Sequence, residues 1–102
     1  MAKVKITVVK KLNNRDMFGD KPPLGFTLAP ECNRLEVGQE FISDEGACPP
    51  GFCSWAFADI QRDITHLRFG GDFPFMKKKG TALAACTDGV RPVIFKLERI
   101  EE

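Results

Sequence analysis

Apolar residues at Cys53, Ala56, Ile60, Ile64 and Leu67 are spaced three, four, four and three apart. That rhythm draws one apolar stripe along a single helix face. Phe57 widens the stripe, while Asp59, Arg62, Asp63 and Arg68 fill the other faces. Ser54 is placed to cap the start and Gly70-Gly71 to stop the end. The chain shows no second convincing helix, so a helix with one apolar face has to cover a sheet.

The strands of that sheet are readable from alternation. Val4, Ile6 and Val8 alternate with Lys3, Lys5 and Thr7, the period of a half-buried strand that ends near Asn13-Asn14. Residues 35–42 read as a second strand, bent at Gly38, and Asp44-Glu45-Gly46 ends it. Residues 81–87 and 90–100 flank Asp88-Gly89, a strong hairpin signal. A two-residue turn there sets Cys86 opposite Arg91, Ala84 opposite Val93 and Ala82 opposite Phe95. Val93, Phe95 and Leu97 then share a face, and Ala82 and Ala84 leave room for the helix. Pro92, with no N–H to give, marks its strand as a sheet edge at that point.

Two stretches read as loops. Residues 15–30 carry breaks at Gly19, Pro22-Pro23 and Gly25, with one short helical turn near Asp16 to Phe18. Met17, Phe18, Leu24, Phe26 and Leu28 make this loop too apolar for a free linker, so it is expected to pack over one end of the domain. The paired prolines of Cys48-Pro49-Pro50-Gly51-Phe52-Cys53 exclude both a ladder and a helix interior. The whole order predicts a single α+β domain over residues 1–102. Its small, curved antiparallel sheet, open or barrel-like, is covered by one amphipathic helix from Ser54 to Phe69. With 43 % apolar residues and nine phenylalanines, 102 residues suffice for one core without disulfide staples.

Fifteen basic residues against fourteen acidic ones supply no broad field for nucleic acid or anionic lipid. Phe69, Phe73, Phe75 and Met76 ahead of Lys77-Lys78-Lys79 interleave aromatic and basic side chains, as nucleic-acid surfaces can. Core packing followed by a solvated turn accounts for them better, so nucleic acid is not the expected partner. With Trp55 and Phe57 the same aromatics suit a small-molecule pocket or a surface for homo-oligomer formation. No apolar run is long enough to span a bilayer, and the charged alternation at the N-terminus does not read as a signal peptide. No membrane partner is expected, and the expected compartment is cytoplasmic. There, four cysteines read as thiols or metal ligands before they read as disulfides.

Three segments carry a resemblance: Pro50-Gly51-Phe52-Cys53-Ser54-Trp55-Ala56, Phe69-Gly70-Gly71-Asp72-Phe73-Pro74 and the run from Cys86-Thr87-Asp88-Gly89 through Arg91-Pro92-Val93-Ile94-Phe95-Lys96-Leu97. Together they resemble a family of short uncharacterised proteins found chiefly in anaerobic bacteria and archaea. The resemblance extends over nearly the whole chain, including the opening Val4-Lys5-Ile6-Thr7-Val8 and Val37-Gly38-Gln39-Glu40-Phe41. It implies no particular activity. The family pattern has cysteines matching Cys32, Cys53 and Cys86, whereas Cys48 is particular to this sequence and residues 11–30 depart from the pattern.

Cysteine carries the sharpest chemical expectation. Cys53 falls at a helix N-terminus, where unpaired N–H groups and the macrodipole favour negative charge, and Cys86 falls across from Arg91. Three readings follow. Buried cysteine often packs as a small hydrophobe. Cys32, Cys53 and Cys86, with Cys48 or His66 as a fourth ligand, could bind zinc or iron. Alternatively, Cys53 or Cys86 could be the catalytic thiol of a redox protein or enzyme. His66 is poorly placed to serve Cys53 as a base, since the helix holds them roughly 20 Å apart, while partnership with Cys32 or Cys86 stays open. Asp59 and Asp63 share a helix face and read as solvated charge. The resulting expectation is a small binding domain with a cysteine cluster, its ligand a metal or a small molecule.

Overall fold

A computed structural model describes residues 2–100 of the chain. Four strands, β1 (Lys3–Lys11), β2 (Glu40–Ser43), β3 (Thr81–Ala85) and β4 (Val93–Ile100), form one antiparallel sheet in the order β2-β1-β4-β3. The sheet is open, with β2 and β3 as its edges, rather than closed as a barrel. One long helix, α2 (Ser54–Arg68), covers one face, and a single-turn helix, α1 (Asn14–Phe18), follows β1.

The core lies between α2 and the inner face of the sheet. Val4, Ile6 and Val8 of β1, Val93, Phe95 and Leu97 of β4 and Ala82 of β3 meet Ala56, Phe57, Ile60, Ile64 and Leu67 of α2. These are the residues picked out by the two periodicities. Phe52 plugs the end of this layer, with ring centroids 5.0 Å from Phe41, 6.4 Å from Phe57 and 5.3 Å from Phe95. The loop rich in proline is thereby anchored two residues before the helix begins.

Four expectations about local structure are corrected. First, residues 35–38 are not strand. Gly38 (φ 94°) turns the chain, Gln39 N–H bonds Glu36 O, and ladder pairing proper starts at Glu40. Second, the hairpin register is displaced by two residues: Ala82 pairs with Leu97 and Ala84 with Phe95, and Cys86 N–H donates to Val93 O. A two-residue turn would have placed Pro92 opposite Ala85 in a hydrogen-bonded pair, which needs an N–H that proline lacks. A slip of two keeps every side chain on its expected face. It also puts Pro92 outside the ladder, where its carbonyl accepts from Leu12 N–H at 2.8 Å. Third, β4 pairs with both β1 and β3, so it is an interior strand and not an edge.

Fourth, residues 15–30 do not pack over the domain. Asn13 caps α1, the Asn14 amide donates to Ala29 O at 3.0 Å, and Asn14 N–H bonds Pro30 O. The loop is closed at its base, while Leu24 and Leu28 are exposed and Phe18 stacks edge-on with Phe26 at 6.1 Å. The molecule is correspondingly elongated, 46 × 30 × 21 Å. Among the described residues no helix is long and apolar enough to cross a membrane.

Candidate functional site: a cleft walled by three thiols

The end of the sheet next to the start of α2 is where the chain leaves space. Three separate elements deliver a cysteine there. Cys53 is the N-cap of α2, held in extended conformation (φ −74°, ψ 119°) by Phe52 packing on one side and the Phe57 N–H bonding its carbonyl on the other. Ser54, the residue placed to cap the helix, is instead its first helical residue, and no side chain caps this end.

Cys86 lies just beyond β3. Its sulfur accepts the Val93 N–H at 3.2 Å, while its own N–H bonds Val93 O at 3.1 Å, so the side chain is oriented by the neighbouring strand. Cys32 comes from the loop after α1. A β-bulge at Val9 reverses the alternation of β1, so that Lys11 pairs with Val93 and turns to the inner face. From there the Lys11 ammonium donates to Cys32 O at 3.1 Å and pairs with Glu36 at 3.6 Å, tying down the loop.

The three cysteines, all half-buried, line one cleft of ≈ 250 Å³. Its floor is apolar, made by Leu35, Ala56 and Val93, each nearly or fully buried. Arg34, Trp55, Asp88 and Arg91 complete the lining. Asp88 does more than make a turn. Its Oδ1 accepts the N–H groups of Val90 and Arg91 at 2.9 and 3.0 Å, while Oδ2 lies 3.9 Å from Arg91 Nε. Asp59, read from the sequence as solvated charge, is a tether. Its carboxylate accepts Thr87 N–H at 2.8 Å and Thr87 Oγ1 at 2.9 Å, fastening residues 87–92 to α2.

The sequence readings of the site are thus sorted by position. Cys32, Cys53 and Cys86 come together on one cleft. Among the described residues, however, no three His, Cys, Asp or Glu side chains form a group that could hold a metal ion. The thiols wall a shared space with an apolar floor between them. Cys48 stands outside the cleft lining. Its thiol, directed at Pro49 O at 3.8 Å, is pushed up by partial burial and then by the nearness of Cys53. His66 lies in the last turn of α2, with Nε2 3.0 Å from Asp72 O and its ring 4.7 Å from Phe73.

The aromatics split in the same way. Trp55, 67 % exposed, lines the cleft, whereas Phe69, Phe73 and Phe75 gather at the far end of the helix. Arg34 and Lys11 carried no recognisable sequence signal, because their roles depend on a bulge and a loop path that no periodicity records. Comparison with protein-family models, curated proteins and solved structures found no match to this chain.

Proposed function

We propose that this chain is a small binding domain whose ligand, a small molecule, seats in the cleft walled by Cys32, Cys53 and Cys86. The observation that carries the reading is convergence: a loop, a helix N-cap and a strand end each deliver a half-buried thiol to one concavity. Packing alone would not require them to border open space. An apolar floor with a few polar groups at its edge is the usual make-up of a ligand pocket.

Alkylation of the native protein with iodoacetamide, read by mass spectrometry and by emission of the sole tryptophan, Trp55, tests this. The expected result is modification of cleft thiols without denaturant, together with a change in Trp55 emission. If all three react only after unfolding, they are core packing and the reading fails.

A second reading, thiol chemistry at Cys53 or Cys86, is favoured by the two backbone settings. Cys53 heads a helix with no side-chain cap, and the Val93 N–H points at Cys86 sulfur. One thiol reacting far faster than free cysteine would move the assignment to an enzyme or redox protein. Zinc or iron near one equivalent in anaerobically purified protein, with the three thiols protected, would move it to a metal centre.

A further inference from the structure

We infer that the ligand of this cleft is a small organic anion, an oxyanion head group on an apolar body, with Arg91 and Arg34 receiving the charge. The inference rests on the cleft being a ligand site and adds the class of ligand. Arg91 is its centre. The side chain is only 18 % exposed, and Nε is buried with no hydrogen-bond partner among the described residues. The nearest carboxylate oxygen, Asp88 Oδ2, stands 3.9 Å from Nε, too far for a hydrogen bond, and Asp88 Oδ1 is occupied by backbone N–H groups. That Nε is closed to solvent, so a ligand would meet the outer edge of the guanidinium, whose planar fork suits an oxyanion.

The surroundings reinforce the sign of the charge. Arg34, exposed on the cleft lining, pairs with no carboxylate among the described residues. The N-terminus of α2 meets the same space with no side-chain cap and no acidic residue in its first turn, so its partial positive charge is uncompensated. Among the described residues Asp88 is the sole acid of the lining. The cleft is therefore cationic in a chain whose formal net charge is only +1.

A bare inorganic ion fits poorly, because it would leave the floor of Leu35, Ala56 and Val93 and the face of Trp55 uncovered. An apolar, preferably planar, body fills that floor and can lie against Trp55. The ≈ 250 Å³ of space suits a ligand below drug size.

Four probes on the full chain separate the possibilities: benzoate, phenyl phosphate, benzamide and inorganic phosphate, each followed by Trp55 emission and by protection of cleft thiols from iodoacetamide. Benzoate or phenyl phosphate should shift the emission and slow alkylation, with the better of the two naming the head group. Benzamide should be weaker by about tenfold, the loss expected for one charge-assisted contact, and inorganic phosphate by about tenfold or more, for the apolar burial it lacks. Arg91→Gln and Arg34→Gln should each weaken the better probe by a similar factor, about tenfold. Arg34 is exposed, so its variant keeps the test valid even where Arg91→Gln disturbs folding. Equal protection by benzamide and benzoate, or undiminished binding in Arg34→Gln and a folded Arg91→Gln, overturns the anion inference and leaves the cleft as a neutral-ligand site. Protection by none of the four also overturns it, and alkylation of the free protein then decides the cleft separately.

Discussion

The two ends of α2 are finished in opposite ways. At its C-terminus the chain's own groups close the last turn. Gly71 N–H bonds His66 O at 2.8 Å and Gly70 N–H bonds Leu67 O at 3.0 Å, the paired bonds of a Schellman stop, with Gly70 at φ 91°. The Arg99 guanidinium then crosses from β4 to Leu67 O at 3.0 Å, Gly71 O at 2.7 Å and Asp72 Oδ1 at 2.9 Å. Asp72 Oδ1 in turn accepts Gly80 N–H at 2.7 Å. At the N-terminus no side chain caps the helix, no acid lies in the first turn, and the space beyond holds thiols, two arginines and a tryptophan. One end is closed by the protein itself. The other leaves its donors available, which is where a ligand can contribute what the chain does not.

Removing the anchor of the open end should have the largest effect. Phe52→Ala deletes the ring at the centre of the aromatic cluster and is expected to lower stability by about 3–5 kcal/mol in urea denaturation. Because Phe52 also positions Cys53, the native selectivity of thiol alkylation should be lost along with it. If stability falls while the alkylation pattern is unchanged, the open end is set by something other than this anchor.

The closed end gives the converse result. Arg99→Met retains the aliphatic stem and removes the guanidinium bonds, so it should cost about 2–3 kcal/mol. Alkylation of Cys53 and Cys86 in the native protein should be unaffected, since their cleft is at the other end of the helix. Accelerated labelling there would show that the two ends are coupled.

Asp59→Ala is expected to cost about 1 kcal/mol, the net worth of the Thr87 bonds. Its more telling readout is Cys86, whose alkylation should quicken as residues 87–92 come loose from α2. The smallest effect concerns pH. The Asp72 carboxyl is held below the ordinary carboxylate range, first by the Arg99 hydrogen bond and then by the Gly80 N–H. A carboxyl depressed in the folded state adds stability above its unfolded pKa and loses it as pH falls through the folded one. The Tm difference between the parent and Asp72→Asn should therefore be constant at neutral pH and shrink under acid. A difference that grows on acidification would contradict the pairing.

What sequence reading recovered, and what it missed, divide along a physical line. The α2 stripe, the Val4-Ile6-Val8 and Val93-Phe95-Leu97 faces and the Gly70-Gly71 stop are local consequences of period and backbone freedom, so they were legible. The hairpin was legible as a hairpin. Its register was not, because Asp88 folds its own carboxylate back onto two N–H groups and Pro92 cannot join the ladder. Residues 15–30 were expected to pack over one end of the domain for their apolar content, yet Asn14 closes the loop at its base and Leu24 stands in solvent. Of the site, Cys32, Cys53 and Cys86 were expected as a cluster, and the structure sets them around one cleft. Arg34 and Arg91 reach the same cleft only through the fold, and Asp59 became a tether only because Thr87 is brought to it.

By itself, then, the sequence determined the class of fold, which residues face the core and which thiols could matter, since these follow from side-chain period, turn chemistry and composition. Only the tertiary structure decided that Cys32, Cys53 and Cys86 border one cleft, with positive charge at its rim and an uncapped helix end beside it. That arrangement depends on the bulge at Val9, the anchoring of Phe52 and the displaced hairpin register, each a balance of long-range contacts that no local pattern encodes.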